Sequence, residues 1–460
     1  LSVPCAFPGV PIIRFRINRT AMRFPLLLIL LLTGCGGTAG PSSGPNIVLI
    51  VSDDHHWKDH GFMGHPVVRT PHLDRLATES LVYTRGYTPT SVCRPSLATI
   101  VSGLYPHQHG ITGNDPPGGA IRDPEARAAM EGVFHRTATI LEQLHQSGYV
   151  SHQSGKWWEG NPTDHGFTAG MTHGEVMRGG RHGDTGLTIG REGLQPITDF
   201  LSEAGRNPFL LYYAPFLPHT PHNPPDSLLQ GYLGADRPLP EAKYYAMIEW
   251  FDLTVGTLLD HLEEAGHYDN TLVMYVVDNG WLPAGEGQGR FDSRAKMSPY
   301  DAGMRTPIML RWPGVVRPGM DHESLASTID IVPTLLAAAG SAASPDLPGL
   351  NLLDRDQLAG REMIFGALFA HTSVDLHDPA ANLKYRYGVR KDGWKLILPF
   401  PPNRDVELMI NGDRPYWMRL DHELYNVRTD PYEVDEQSLN HPELAAELAA
   451  ALDAWWSVSP

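Results

Sequence analysis

Three stretches of the chain run apolar without a polar break: Ile47-Val48-Leu49-Ile50-Val51, Phe209-Leu210-Leu211-Tyr212-Tyr213 and Leu272-Val273-Met274-Tyr275-Val276-Val277. They lack the alternation of a half-exposed strand and fit strands buried on both faces, as in a parallel sheet covered by helices. Between them apolar residues recur at helical spacing. Residues 138–147 carry Ile140, Leu141 and Leu144 and stop at Gly148. Residues 244–264 carry Met247, Ile248, Phe251, Val255, Leu258, Leu259 and Leu262 and stop near Gly266. Strands alternating with helices predict an α/β fold: a large mixed, mostly parallel sheet sandwiched by helices.

Around residues 341–360 the chain turns small and polar. Beyond it, Tyr385 to Leu398 reads as a hairpin about Lys391-Asp392-Gly393, and 443–456 as an amphipathic helix. This pattern divides the chain into a main domain over 45–350 and a smaller C-terminal α+β subdomain over 360–460.

The first residues follow a different pattern. Met22-Arg23 precedes an apolar run of nine residues, Phe24 to Leu32, and then Thr33-Gly34-Cys35. A basic start, a short apolar run and small residues before a cut site read as a secretory signal. A bilayer span needs roughly 20 residues, so this run is not a transmembrane helix. Leu32-Thr33-Gly34-Cys35 resembles a bacterial lipobox. Residues 1–34 therefore read as an upstream segment and lipoprotein signal peptide, Cys35 as the acylated anchor of a periplasmic or outer-membrane protein, and 35–44 as a flexible tether.

With 42% apolar and 19% charged residues in 460, the chain has the composition of a soluble globular protein. Removing residues 1–34 takes away Arg14, Arg16, Arg19 and Arg23 and no acids, so the net charge falls from −16 to −20. An acidic body argues against a nucleic-acid partner. Of the cysteines Cys5, Cys35 and Cys93, the last alone lies in the body, so there is no disulfide framework.

Charged residues gather where the buried strands stop. Ser52-Asp53-Asp54 ends the first, Asp278-Asn279-Gly280 the third, and Pro218-His219 follows the second. In open α/β sheets, sites form at these carboxyl ends. An acid pair after one strand is commonly a turn or a helix cap. Carboxylates gathered at one edge repel unless a cation sits among them, and all-oxygen ligands suit Ca²⁺ or Mg²⁺. Cys93 stands two residues before Pro95, which fits the first turn of a helix. The thiol is then at a helix N-terminus, which favours anions.

Seven motifs together resemble the type I sulfatases of the alkaline phosphatase superfamily, across nearly all of 46–456. They are Val51-Ser52-Asp53-Asp54; Arg69-Thr70-Pro71-His72-Leu73-Asp74-Arg75; Cys93-Arg94-Pro95-Ser96; Ser154-Gly155-Lys156-Trp157; Pro218-His219-Thr220-Pro221-His222; Asp278-Asn279-Gly280; and Lys296 with Tyr300, Gly303, Arg305 and Trp312-Pro313-Gly314. The resemblance implies an alkaline phosphatase-like fold and hydrolysis of sulfate esters, of sulfated carbohydrates or aryl or alkyl sulfates. It implies that Cys93 is oxidised by a formylglycine-generating enzyme to an aldehyde whose hydrate attacks sulfur. Asp53, Asp54, Asp278, Asn279 and residue 93 would hold a divalent cation, Ca²⁺ in preference to Mg²⁺. Lys156 and Lys296 would stabilise the transferring group, and His219 would protonate the leaving oxygen.

Two positions depart from the family pattern. Its signature places arginine four residues after the cysteine, where this chain has Leu97; Arg94 is the nearest arginine and is expected to substitute in part. Its Gly-Lys-Trp-His becomes Gly-Lys-Trp-Trp, with Trp158 in place of a site histidine. Trp158 itself, His107 or His182 are the candidates to fill that gap. Arg181 and His182, in a basic glycine-rich stretch, and His222 are further candidate substrate contacts. A phosphonate or phosphate ester hydrolase of the same superfamily, or an inactive lipoprotein that binds sulfated glycans, are the alternatives.

Overall fold

Ile47 to Val51 lie at the centre of a nine-stranded sheet. The computed structural model describes residues 44–174, 182–234, 236–284, 291–400 and 422–458. The strands of the large sheet are β1 (Asn46–Ser52), β2 (Leu81–Tyr87), β3 (Val150–Gly155), β4 (Ala169–Gly170), β5 (Phe209–Ala214), β6 (Thr271–Val277), β7 (Arg305–Arg311), β8 (Gly319–Asp321) and β9 (Ala326–Ser327). Their order is β4-β3-β5-β1-β6-β7-β2-β8, with β9 also on β2. Every pairing is parallel except those of β7 with β6 and β2.

The unbroken apolar runs have the cause expected of them. Successive side chains of a strand point to opposite faces. Ile47, Leu49 and Val51 enter one core, with the helices Cys93–Ser102, Ile140–Gln146 and Ile331–Ala338. Val48 and Ile50 enter the other, with the helices Pro71–Thr78, Gln195–Ala204 and Leu239–Glu264. Each such side chain contributes roughly 1.5–3 kcal/mol by leaving water.

Around residue 360 the architecture changes. β10 (Met363–Phe369), β11 (Leu383–Arg390), β12 (Trp394–Pro399) and β13 (Glu423–Asn426) form a four-stranded antiparallel sheet. One face packs under the terminal helix Pro442–Trp455 through Leu396, Leu424, Leu448 and Leu452. The other meets the main body through Tyr387, Val389 and Ile397 against Tyr87, Val92 and Met304. The small, polar stretch 341–360 includes one short helix, Arg355–Ala359.

Register sets the site. β3, β5, β1 and β6 are consecutive neighbours and all run the same way. Ser52 pairs with Val277, and Gly155 with Ala214. The residues just past these pairs, Asp53 beside Asp278 and Lys156 beside the start of the His219 loop, leave the sheet at one edge.

Candidate active site

Asp53 and Asp54 leave β1 in a tight turn. Asp54 has φ 59°, a left-handed conformation that is uncommon outside glycine. Its N–H donates to Asp278 Oδ1 at 3.0 Å, and Asn279 Nδ2 donates to Asp54 Oδ1 at 2.7 Å. The ends of β1 and β6 are thus stitched through the acids themselves. Lys156 is aimed by Gly155, whose φ is +98°. A Cβ there would stand 1.9 Å from the Ala214 carbonyl oxygen, so glycine alone permits this turn.

The helix that begins at Cys93, Cys93–Ser102, is buried along its whole length. Ser96 Oγ donates to the Asp278 carbonyl at 2.5 Å, and the Arg94 N–H donates to Asn114 Oδ1 at 2.9 Å. The helix starts against the Asp278-Asn279 loop. Cys93 Sγ lies 3.8 Å from Asp54 Oδ1 and 3.1 Å from Lys296 Nζ. Lys296 Nζ also donates to both oxygens of Asp54, at 2.6 and 2.7 Å. Lys156 Nζ donates to Asp53 Oδ1 at 2.6 Å and stands 3.5 Å from Asp278 Oδ2. His219 Nε2 lies 3.3 Å from Asp54 Oδ2, and its Nδ1 donates to the Thr220 carbonyl at 2.5 Å.

Two ammonium groups face three buried carboxylates. Burial raises Asp53 well above the carboxylate range against the pull of Lys156, and raises Asp278 likewise. At Asp54 burial pushes up, but Lys296, His219 and Lys156 together hold it below the usual value. Burial pushes the Cys93 thiol up to about 12, despite both lysines. Residue 93 as plain cysteine is therefore a protonated thiol at neutral pH and a poor nucleophile. Burial also holds His219 well below its ordinary value against the attraction of Asp54.

Among the described residues, three buried oxygens at the ends of β1 and β6 accept no hydrogen bond: Asp53 Oδ2, Asp278 Oδ2 and Asn279 Oδ1. Ligand atoms of Asp53, Asp54, Cys93 and His219 lie within 4.8 Å of one another. Carboxylate and amide oxygens without hydrogen-bond partners are groups that could hold a metal ion.

The sulfatase family model matches residues 45–341, and that of the N-sulphoglucosamine sulphohydrolase C-terminal region matches residues 285–455. The chain belongs to the sulfatase family. The human N-acetylgalactosamine-6-sulfatase is 30% identical over 359 residues, 69% of this chain and 66% of the relative. Human arylsulfatase A is 29% identical over 384 residues, 72% and 70%. A solved structure described as a complex with its substrate D-glucosamine-2-N,6-O-disulfate superposes with a TM-score of 0.64 at 19% identity, covering 90% of this chain and 97% of that one. This sulfatase is a sulfuric ester hydrolase with the alkaline phosphatase-like fold.

The candidate substrate contacts separate in space. Trp158 meets His182 edge-on at 4.5 Å, and His182 lies 6.0 Å from the His219 ring. Phe216 stacks on His219 at 4.2 Å. These rings make one wall of the sulfatase site. His222 packs against Tyr244 and Trp281, at 5.5 and 4.8 Å. Arg181 falls outside the described residues.

Two expectations need correction. Arg94 does not take over from the arginine missing at position 97. Its guanidinium is buried on Glu159, with bonds of 2.7 and 2.6 Å, and Leu97 joins the apolar core. His107 does not fill the gap at Trp158. Its ring is taken up by the C-terminal tryptophans, meeting Trp455 edge-on at 5.1 Å and stacking on Trp456 at 4.3 Å.

Sequence inspection overlooked Glu159 and Phe216. Glu159 directly follows Gly155-Lys156-Trp157-Trp158, so its position near the site was readable; its pairing with Arg94, 65 residues away, was not. Glu159→Ala leaves a buried guanidinium unpartnered and should lose about 3–5 kcal/mol in chemical denaturation. A loss below about 1 kcal/mol, the range of exposed pairs, contradicts the buried pairing.

Proposed function

We propose that this sulfatase removes sulfate from sulfated carbohydrates, using an aldehyde-bearing residue 93 and a divalent cation at the edge of the large sheet. The contact of Cys93 Sγ with the Asp54–Lys296 pair, at a strand edge with three carboxyl and amide oxygens that accept no hydrogen bond, carries this reading. The N-acetylgalactosamine-6-sulfatase relatives and the neighbour bound to a glucosamine disulfate support a sugar substrate.

Asp53, Asp54, Asp278 and Asn279 would hold the cation, with residue 93. Its oxygen-only protein side favours Ca²⁺ over Mg²⁺, since Ca²⁺ accepts more protein oxygens and Mg²⁺ keeps its waters. The cation supplies positive charge to the sulfate oxygens and to the attacking oxygen. Oxidation of the thiol by a formylglycine-generating enzyme would supply a hydrated aldehyde: one hydroxyl would give its proton to a site carboxylate and bond to sulfur as the S–O bond to the alcohol breaks, and loss of the second hydroxyl's proton would then break the C–O bond to sulfate, so that the carbonyl reforms and sulfate leaves. Lys156 and Lys296, buried and held by Asp53 and Asp54, place fixed positive charge where the transferring group gathers negative charge. The two neighbours of the His219 ring, Thr220 O and Asp54 Oδ2, are both acceptors, and only the doubly protonated ring serves both. An arriving sulfate anion favours that form and opposes the effect of burial. The ring then gives the Nε2 proton to the leaving alcohol.

His219→Ala should lower turnover of an alkyl or sugar sulfate about 10²–10⁴-fold and that of a nitrophenyl sulfate far less. Equal losses on both substrates would remove His219 from the role of acid. The substrate class is tested with a 6-sulfated N-acetylhexosamine and an aryl sulfate. Protein shown by mass to carry the aldehyde, yet releasing sulfate from neither, overturns the proposal.

The lipobox-like Leu32-Thr33-Gly34-Cys35 supports anchoring at the bacterial envelope. Among the described residues no helix is long and apolar enough to cross a membrane, which leaves the acyl chains as the proposed tie. Cys35→Ala should move the protein from the membrane to the soluble fraction. Retention in the membrane would rule the anchor out.

A further inference from the structure

Lys296 sits in a segment, 291–300, with neither helix nor strand. The next residue, Met297, has φ +61°, a conformation a methionine holds only when its surroundings impose it. What imposes it lies on both sides. Met297 N–H donates to the Ser91 carbonyl at 3.1 Å, just before the nucleophile. Two residues before Lys296, the Arg294 guanidinium covers the Tyr300 ring at 3.8 Å and donates to the Glu433 carbonyl. Tyr300 OH donates to Glu423 at 2.9 Å. The Asp301 N–H donates to Glu433 Oε2 at 2.6 Å. Glu433 thus holds the chain before Lys296 with its carbonyl and the chain after it with its carboxylate.

A buried lysine joins the two acids of this grip. Lys395, on β12 of the smaller sheet, has a side chain with 0% exposure. Its Nζ lies 2.9 Å from Asp301 Oδ1 and 2.9 Å from Glu433 Oε1. Asp301 Oδ2 accepts from Tyr87 OH at 3.0 Å and lies 3.5 Å from Arg305 Nη1, so among the described residues Lys395 is the cation that touches both Asp301 and Glu433. Without the ammonium, two buried carboxylates would face each other and repel.

We propose that Lys395 is a positioning residue: by joining Asp301 to Glu433 it fixes the loop between them and so holds the Lys296 ammonium against Asp54 and residue 93. The inference rests on the reading of Lys296 as the group that stabilises the transferring sulfuryl charge. It gives the smaller sheet a part in the chemistry, although Lys395 touches neither substrate nor cation. Lys296 Nζ reaches Asp54 at 2.6 Å and Sγ at 3.1 Å, and a displacement of about 1 Å in such an arrangement reduces rate about 100-fold.

A double-mutant cycle tests this. Parent, Lys395→Met, Lys296→Ala and the double variant are assayed on an aryl sulfate, below the melting temperature of each and normalised to the aldehyde fraction at residue 93. Lys395→Met should lower kcat about 100-fold with KM within a few-fold. In the Lys296→Ala background the same change should lower kcat less than about 3-fold. Losses that multiply in the double variant overturn the inference and leave Lys395 a structural ion pair. Parental kcat in Lys296→Ala alone sinks the reading of Lys296, and the inference with it. Should Lys395→Met not fold, Glu433→Gln takes its place in the cycle: it keeps an acceptor for the Asp301 N–H and removes one charge. It should lower kcat about 10-fold, again without multiplying the Lys296→Ala loss, and multiplication overturns the inference.

Discussion

Cys93→Ala should lower kcat/KM by at least about 10⁴-fold, as removal of a covalent nucleophile does, with the fold retained. The side chain lost is small, and its neighbours in the apolar core, among them Leu97 and Ala98, stay in place. The same prediction covers protein that keeps an unmodified thiol. Burial holds that thiol at about 12, so almost none is thiolate at neutral pH, and it carries one sulfur where the proposed cycle needs two oxygens on one carbon. Secreted protein whose residue-93 peptide has only the cysteine mass should be as inactive as Cys93→Ala. This matters because position 97 is Leu97, buried in the core, and Arg94 is committed to Glu159. Activity at parental level in the alanine variant would place the nucleophile elsewhere.

Asp278→Ala should abolish tight cation binding and lower activity more than about 100-fold together, since loss of an outer-shell partner alone reaches that range. Asp278 supplies an unused oxygen, Oδ2, while Oδ1 accepts the N–H groups of Asp54 and Asn279. The alanine variant loses both. Asp278→Asn keeps an acceptor for those N–H groups and removes only the charge, so its activity should fall less and recover in part with added Ca²⁺. Chelation should inactivate the parent, and Ca²⁺ should restore it better than Mg²⁺. A variant that retains one equivalent of metal with full activity would remove Asp278 from the cation site.

Strands covered on both faces were legible because nothing polar interrupts them. β1, β5 and β6 appear at 46–52, 209–214 and 271–277. β3 escaped notice because it reads Val-Ser-His-Gln-Ser-Gly, and β2 because Thr84 and Arg85 stand in its middle. Those side chains find partners that only the fold provides, such as Arg85 on the carbonyls of Glu323 and Lys391. At the site, acids immediately after apolar runs could be located because strand ends are local features. The roles of Arg94 and His107 could not: one depends on a carboxylate 65 residues on, the other on Trp455 and Trp456 near the far end of the sequence. The Lys395 cluster depends on contacts between two sheets and has no local signature.

The burial of the whole Cys93–Ser102 helix sets an order of events. A thiol with 1% of its surface open offers no purchase to another enzyme's active site. The maturation proposed for it must happen on the nascent or unfolded polypeptide, so folding and oxidation compete for the same interval. Chains that collapse first would be trapped as stable, correctly shaped and permanently inert molecules, and later exposure to the oxidising enzyme would not rescue them unless they were first unfolded.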